Sequence, residues 1–253
     1  YYDQTFQCLN KNAHGGENVE TALRDSCNIF FYNCAKRLGI TKMNEYASAF
    51  GLGQKTGVEI AESAGTLAGP EEREAAGGVW QSGDTIQAGI GQSDNLFTPL
   101  QLSNYCATVA NGGTRYQLHL VQSLIDNSSG TVTETQPKIE ESLDLHKSTL
   151  TAVKSGMRLV ATQGAPSLIF NQLRTEVAAK TGTSQVIVNG VKKNNGFLIT
   201  FAPYDNPEIS VASVVELAGS GTSTAEITSS IIKYWYQNNT DEKTNQKTGA
   251  LLN

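Results

Sequence analysis

The last third of the chain constrains the fold most strongly, because strand-like runs follow one another there with only short turns between them. The runs cover residues 177–188, 197–202 and 209–215. Asn189-Gly190 and Asp205-Asn206-Pro207, which separate them, favour tight turns. Residues 223–226 (Ser-Thr-Ala-Glu) match a capping box and predict a terminal helix with an inward face of Ile227, Ile231 and Trp235. Because short turns join antiparallel strands, this third predicts an antiparallel sheet backed by that helix.

The beginning of the chain predicts helices. Asn18 can cap a helix that extends to Leu38, and the cap-preferring pair Asp25-Ser26 predicts a break just before the next residue. Gly39 is expected to stop this helix, and another is predicted over residues 41–51. Residues 52–96 are rich in glycine and polar residues without any period, which predicts a long loop beside a site or a lid.

Between this loop and the strands, the sequence predicts two further helices and a hairpin. Residues 98–101 (Thr-Pro-Leu-Gln) combine an N-cap, a proline at the first helical position and a reciprocal glutamine, and residues 111–113 (Asn-Gly-Gly) end that helix. The hairpin is predicted to turn through residues 127–130 (Asn-Ser-Ser-Gly). Ser148 is expected to open the second helix.

Charge and hydropathy exclude two classes of function. The net charge is -5 at pH 7, and basic residues occur in no cluster larger than a pair, whereas a nucleic-acid partner would normally need clustered Lys and Arg. No apolar run approaches the ~18 residues of a membrane-spanning helix. The chain opens with Tyr1-Tyr2-Asp3 and no initiating Met, so we expect a processed or excised segment with any targeting element outside it.

The spacing of cysteines and histidines gives no indication of a metal site or a disulfide framework. The four cysteines match neither a CxxC pair nor a zinc set, and the three histidines are isolated from carboxylates and thiols along the sequence. We therefore expect no metal or other cofactor, and free thiols at Cys8, Cys27, Cys34 and Cys106.

Short motifs containing serine, asparagine and lysine indicate acyl-transfer chemistry. A serine nucleophile activated by lysine needs that lysine one helical turn away, a relay hydroxyl, and a positive charge that recognises the substrate carboxylate. Ser-x-x-Lys, Ser-x-Asn and Lys-Thr-Gly meet these needs when they occur in that order along the chain. Each motif is short enough to occur by chance, so every copy has to be weighed.

Lys-Thr-Gly occurs twice. Lys55-Thr56-Gly57 lies in the aperiodic stretch after a helix and is interpreted as a turn, with Gly57 supplying permissive dihedral angles. Lys180-Thr181-Gly182, followed by Thr183, lies inside a predicted strand. A glycine in an edge strand lets a substrate backbone approach closely. The second copy is therefore the candidate site.

Ser-x-Asn also occurs twice, and Ser-x-x-Lys occurs once. Ser26-Cys27-Asn28 lies at the predicted helix break and Ser93-Asp94-Asn95 in the predicted loop. Either copy could be a cap or an Asx-turn, and the second alone would spell a motif of class A β-lactamases. Ser230-Ile231-Ile232-Lys233 comes after Lys180. Because that order is wrong for the chemistry, we interpret this Ser-x-x-Lys as helix surface.

A longer, ordered set of motifs separates the candidates from the decoys. It runs through residues 14–16 (His-Gly-Gly), 26–32 (Ser-Cys-Asn-Ile-Phe-Phe-Tyr), 50–53 (Phe-Gly-Leu-Gly), 89–92 (Gly-Ile-Gly-Gln), 98–102 (Thr-Pro-Leu-Gln-Leu) and 110–113 (Ala-Asn-Gly-Gly). In this order, and over almost the whole chain, the set resembles class B penicillin-binding proteins of the elongation type. The resemblance makes Ser26-Cys27-Asn28 the second family motif, Lys180-Thr181-Gly182-Thr183 the third, and Ser93-Asp94-Asn95 incidental.

The resemblance implies a role for each residue of the two motifs. Ser26 would be a hydroxyl that relays a proton, and Asn28 would bind the backbone of the acyl donor or the side-chain amide of a β-lactam. Lys180 would supply positive charge beside Ser26. The backbone N–H of Thr183 would be half of the oxyanion hole. Substrate or β-lactam would bind along the strand at Thr181, Gly182 and Thr183.

The resemblance also implies an α+β fold, the α/β sandwich of serine β-lactamases and penicillin-binding proteins, with helices on both faces of an antiparallel sheet. Residues 1–253 would form part of one transpeptidase domain. In the family, two strands and the Ser-x-x-Lys helix precede Ser-x-Asn by several dozen residues, whereas only a short segment precedes Ser26 here. We therefore expect an incomplete sheet, no nucleophile in this chain, and no acylation by the chain alone.

Three classes of function remain open from the sequence. The favoured one is a peptidoglycan D,D-transpeptidase, which cross-links stem peptides by serine acyl transfer from D-Ala-D-Ala. The alternatives are a β-lactam sensor or serine β-lactamase, and a non-catalytic relative that acts as a binding or scaffold domain. The favoured class implies stem peptides, β-lactam antibiotics and cell-wall elongation or division proteins, including a glycosyltransferase, as partners. It also implies the extracytoplasmic face of the bacterial membrane as the location.

Overall fold

The structure is a computed structural model that describes residues 5–8 and 14–248. Its helices are α1 (Val19–Arg24), α2 (Asn28–Ala49), α3 (Pro70–Ala75), α4 (Ser82–Ala88), α5 (Pro99–Ala110), α6 (Lys147–Gln163), α7 (Ser167–Phe170) and α8 (Ala225–Thr248). Its strands are β1 (Thr114–Tyr116), β2 (Ser123–Ile125), β3 (Val132–Glu134), β4 (Ile139–Ser142), β5 (Ala178–Val188), β6 (Val191–Ala202) and β7 (Ile209–Val215). In the described part of the chain, none of the helices combines the length and the apolar character that crossing a membrane requires.

The central sheet is antiparallel, with strand order β5-β6-β7. Strands β5 and β6 form a long hairpin that turns at Asn189-Gly190, where both residues have positive φ (51° and 76°), as a tight hairpin turn requires. Strand β7 then pairs with β6 from Ala202↔Ile209 to Gly196↔Val215. The three predicted strands are confirmed, although β6 begins six residues earlier than its apolar run.

Helices cover both faces of this sheet, as the fold class predicted. On one face, Ala178 and Phe201 pack against Cys106 of α5 and Met157 of α6. On the other face, the buried sheet residues Ala179, Leu198 and Val211 share a core with α7 and α8, represented by Phe170 and Ile232. Within the described residues, β5 and β7 form the two edges of the sheet.

The predicted break in the first helix is confirmed. Helix α1 begins at the Asn18 cap, which accepts a hydrogen bond from Thr21 N at 2.9 Å, and ends at Arg24. Helix α2 begins at Asn28, so the residues between the helices are Asp25, Ser26 and Cys27. Gly39 interrupts α2 with a φ of 75°, which is where the sequence predicted the first helix to stop.

The predicted long loop over residues 52–96 is wrong in part, because the short helices α3 and α4 lie within it. Each is only six or seven residues long, which is too short for an apolar period to show in the sequence. Tertiary contacts stabilise them: the Arg73 side chain pairs with Asp84 and Asp94 and lies over the Trp80 ring.

The predicted inward face of the terminal helix is also wrong. Ile227 and Ile231 are 50% and 42% exposed, whereas Ile232 is fully buried. Ser223 does not act as a cap: it lies in a short 3-10 turn, and its hydroxyl donates to Ala218 O. The helix therefore begins later than the apparent capping box indicates, and the buried positions are Ala225, Thr228 and Ile232.

Candidate active site

Ser26 lies at the break between α1 and α2 and has an exposed side chain. Its φ is 50°, in the left-handed region that residues other than glycine rarely adopt. The neighbouring backbone fixes this conformation, because Cys27 N donates to Ala22 O at 2.9 Å and Ser26 N reaches Leu23 O at 3.4 Å. Backbone strain of this kind is typical of functional sites.

Lys180 lies in β5 and points toward Ser26. Its ammonium donates to Ser26 Oγ at 2.7 Å and to Thr181 O at 2.8 Å. These contacts join two motifs that are 154 residues apart in the sequence. Burial lowers the pKa of the Lys180 ammonium from 10.5 to about 8, because desolvation disfavours the charged form. At pH 7 the side chain is therefore still positive.

The edge of β5 opens onto a cavity of about 760 Å³. Residues from the second half of α2, from the segment around residues 88–98 and from β5 line it. Lys180, Thr181, Gly182 and Thr183 all contribute to its wall. Gln92 lies on the facing segment, and its side-chain amide donates to Thr183 O at 2.8 Å. The whole third motif therefore borders one cleft.

The third residue of the Ser-x-Asn motif makes a different contact. Asn28 is half-buried at the start of α2, and its amide donates to Gln7 O at 3.4 Å. Thus the structure brings Ser26 and Lys180 into direct contact, and it turns the Asn28 amide toward the segment that precedes α1.

The other copies of the motifs make structural contacts. Residues 55–57 form an irregular loop segment and not the predicted turn, and the Glu62 carboxylate accepts hydrogen bonds there from Thr56 and from Gly57 N. Gly57 does have the permissive dihedral angles expected of it, with a φ of 84°. In the second Ser-x-Asn, Asp94 pairs with Arg73, and Asn95 Oδ1 accepts a hydrogen bond from Ala68 N at 2.9 Å.

The lone Ser-x-x-Lys is helix surface, as predicted. It lies on the exposed side of α8, and Ser230 Oγ donates to Glu226 O in its own helix.

A cluster of sulfur and nitrogen atoms that the sequence did not predict includes Cys27, the residue after Ser26. Cys8 Sγ is 3.6 Å from His14 Nδ1 and 3.8 Å from Cys27 Sγ. Among the described residues, this is the one group of three or more His, Cys, Asp or Glu side chains whose donor atoms all lie within 4.8 Å of one another. Thiolate and imidazole are ligand types that zinc prefers. The expected absence of a metal stays a prediction, but its basis in sequence spacing was wrong.

The helix-covered antiparallel sheet brings Ser26 and Lys180 into contact, as the motif resemblance implied. The model of the penicillin-binding protein transpeptidase domain matches residues 1–233. The chain therefore belongs to the penicillin-binding protein transpeptidase family, as the motif resemblance predicted.

Curated relatives narrow this assignment. The peptidoglycan D,D-transpeptidase MrdA of Acinetobacter baumannii is 31% identical over 251 residues, which cover 91% of this chain and 36% of that protein. MrdA of Escherichia coli K12 is 30% identical, with 94% of this chain and 40% of that protein covered. The chain thus spans about two fifths of the length of these relatives. They support the class B elongation type and do not favour a sensor, a β-lactamase or a scaffold.

Solved structures agree with this assignment. Pseudomonas aeruginosa PBP2 in complex with WCK 5153 is 28% identical, with a TM-score of 0.80 over 92% of this chain and 52% of that one. The complex between PBP2 and MreC from Helicobacter pylori gives 25% identity and a TM-score of 0.77, over 90% of this chain and 42% of that one. The predicted fold class is therefore confirmed.

Proposed function

We propose that this chain is the C-terminal part of the catalytic domain of a peptidoglycan D,D-transpeptidase. The full-length protein would cross-link stem peptides by serine acyl transfer from D-Ala-D-Ala. The contact between Lys180 Nζ and Ser26 Oγ, at 2.7 Å, carries this proposal. It assembles the second and third motifs in one place, beside an open strand edge and a cleft.

The Ser26–Lys180 pair is suited to proton relay. The Ser26 hydroxyl accepts a hydrogen bond from the Lys180 ammonium, and its own proton remains available to a second acceptor. Because Lys180 is positive at pH 7, it favours the form of Ser26 that has donated its proton. In the proposed mechanism, Ser26 passes a proton between the lysine of the Ser-x-x-Lys motif and the leaving group.

Substrate recognition follows from the free edge of β5. An extended peptide can add to such an edge through backbone hydrogen bonds. Thr181 and Thr183 would bind the carboxylate of the terminal D-alanine, with Gly182 leaving room for close approach of the backbone. The Thr183 N–H would donate a hydrogen bond to the oxyanion. The Asn28 amide would turn from Gln7 toward the acyl donor.

The nucleophile would come from a Ser-x-x-Lys segment that precedes this sequence in the full-length protein. The cleft between α2 and β5 would receive that segment. Lys180 of β5 and residues of α2 such as Met43 and Ala47 line this cleft. Without the attacking serine there is no acyl-enzyme, so the chain alone would not acylate.

The family assignment supports a location at the extracytoplasmic face of the bacterial membrane. Stem peptides would be the substrates and β-lactam antibiotics the inhibitors. Two relatives support protein partners: one structure is a complex of PBP2 with MreC, and another, 26% identical, describes coordination of polymerisation and crosslinking by a peptidoglycan synthase complex. We therefore propose elongation proteins and a glycosyltransferase as partners, and no nucleic acid.

Covalent labelling by a fluorescent penicillin tests the proposal. We expect the full-length protein to be labelled unless it is boiled first, and the chain of residues 1–253 to remain unlabelled. Ser26→Ala or Lys180→Ala should slow labelling about 10²- to 10⁴-fold, the usual contribution of a proton-transfer group. Ser230→Ala, in the decoy motif, is the matched control and should label normally. Labelling of the chain alone, or normal labelling of Ser26→Ala, would contradict the proposal.

A further inference from the structure

We propose that Gln92 is a positioning residue for acyl transfer, which aligns the peptide group of Thr183 toward the reacting carbonyl. This inference rests on the proposed function, because it assigns Gln92 a task in the same site. The observation behind it is the hydrogen bond from Gln92 Nε2 to Thr183 O, at 2.8 Å, which links residues 91 positions apart.

The direction of this bond shows where the Thr183 N–H points. In an antiparallel strand, the N–H and C=O of one residue point to the same side, and successive residues alternate. Thr183 lies opposite Gly196 of β6, but its carbonyl bonds to Gln92, which is outside the sheet. The Thr183 N–H therefore also points away from β6, along the free edge of β5 that borders the cleft. This is the orientation that an oxyanion-hole donor needs.

Gln92 can control this orientation because its own backbone is anchored on both sides. Gln92 N donates to Gln87 O at 3.1 Å, and Gln92 O accepts from the Asn95 amide at 3.2 Å. Asn95 is tied in turn to Ala68 N at 2.9 Å. Gly91, with a φ of 76°, allows the sharp bend that presents Gln92 to β5. The glutamine amide is thus a fixed point rather than a free surface side chain.

Strand β5 needs such a fixed point at Thr183. Beyond this residue the β5–β6 hairpin becomes largely exposed, and one side of β5 has no strand partner among the described residues. An oxyanion donor is effective only when it lies within a few tenths of an ångström of its ideal position. The 183–184 peptide is held on its β6 side, where Ser184 pairs with Asn195, and Gln92 holds its other side through the Thr183 carbonyl. Without the Gln92 bond, the free-edge side could tilt and shift the Thr183 N–H that points to the same edge.

A competing interpretation is that Gln92 occupies the carbonyl that a substrate N–H requires. A carbonyl oxygen has two lone pairs, so Thr183 can accept from Gln92 and from an added substrate strand together. The two interpretations predict opposite effects of removing the amide: slower acylation if Gln92 positions the peptide, and faster acylation if it competes.

Stopped-flow acylation of the full-length protein by a fluorescent penicillin separates these interpretations, because it resolves reversible binding from the acylation rate constant. We expect Gln92→Ala to lower the acylation rate constant about 10- to 100-fold, with reversible binding changed less than threefold. Gln92→Glu should be equally slow at pH 7, because a carboxylate cannot donate to a carbonyl. As the pH falls and the new carboxyl becomes protonated, it can donate again, so Gln92→Glu should regain rate relative to wild type.

Gln172→Glu is the matched control. Gln172 Nε2 also donates to a backbone carbonyl, Leu168 O at 2.8 Å, but it lies exposed after α7 and outside the cleft. This variant should show the wild-type rate and pH profile. A merely structural role for Gln92 would lower thermal stability without creating the acid-dependent recovery of Gln92→Glu.

The outcomes are distinguishable. Unchanged or faster acylation by Gln92→Ala would overturn the positioning role alone. If Gln92→Ala does not fold, the pH profile of Gln92→Glu decides, and a flat profile relative to wild type would overturn the role. Absence of labelling in the wild-type full-length protein would overturn the proposed function, and the role of Gln92 with it.

Discussion

Replacing Lys180 by methionine should stabilise the fold while removing the positive charge of the site. Burial lowers the pKa of this ammonium from 10.5 to about 8, so the folded state binds its proton more weakly than the unfolded chain does. A shift of that size corresponds to a cost of about 3 kcal/mol at pH 7. The substitution also removes the hydrogen bonds to Ser26 Oγ and Thr181 O, which together offset about 1–2 kcal/mol. We therefore expect a net gain of about 1–2 kcal/mol.

The gain should depend on pH in a defined direction. Between pH 8 and 10.5 the unfolded wild-type chain binds more protons than the folded one, so the stability of the wild type rises with pH through this window. By pH 10 the remaining cost of burying the ammonium is only about 1 kcal/mol, which no longer exceeds the contribution of the two lost hydrogen bonds, so the advantage of Lys180→Met should disappear. Urea unfolding of the two proteins at pH 7 and at pH 10 measures both values.

Lys42→Met is the control for this experiment. Lys42 is exposed and pairs with Glu45 at 2.7 Å, and that carboxylate raises its pKa. Its replacement should therefore give no stabilisation. If Lys180→Met were less stable than the wild type at pH 7, or if the difference were the same at both pH values, burial would not be the cause of the lowered pKa.

Three further predictions concern residues that support the site. Glu62→Ala should lower the free energy of unfolding by about 1–3 kcal/mol, because Thr56 N, Thr56 Oγ1 and Gly57 N lose their acceptor; Glu62→Gln should lose less, and urea midpoints compare them. Gln101→Ala should cost about 2–4 kcal/mol by the same assay, because a buried amide that bonds two backbone carbonyls is removed. Cys106, whose pKa burial raises to about 12, should react with iodoacetamide only after unfolding, as mass spectrometry of the alkylated protein would show.

Local signals in the sequence were sufficient where the backbone itself decides the structure. The capping box of α5 is present as predicted, with Thr98 and Gln101 bonding to each other's backbone N–H groups. The Asn189-Gly190 turn follows from residues that tolerate positive φ, and the break at Ser26 follows from the preference of Asp25 and Ser26 for caps over helix interiors. These signals act within a few residues, so a single sequence contains them.

Signals that depend on tertiary contacts were not visible in the sequence. Cys8, His14 and Cys27 are close together because residues 5–8 lie beside the start of α2, a proximity that linear spacing does not encode. The buried face of α8 was misassigned because Thr228 is fully buried in place of an apolar residue; its hydroxyl bonds to Ser213 Oγ at 2.7 Å, so its polarity is satisfied inside the core. The motif resemblance included Gln92, in residues 89–92, but it could not show that the Gln92 side chain bonds to Thr183 O.

The contact between Ser26 and Lys180 depends on helix α6, which contains neither residue. Helix α6 packs against both α1 and β5. Gly156 lets α1 approach closely, since a Cβ at this position would lie 2.7 Å from Leu23 Cδ1. Two residues further along α6, Arg158 donates to Val177 O at 3.0 Å, directly before β5. A single rigid helix thus sets the position of the α1 end and of the strand together. Because a nitrogen–oxygen hydrogen bond needs a separation of about 2.7–3.2 Å, this spacing, as much as the two motifs, determines whether the pair can relay a proton.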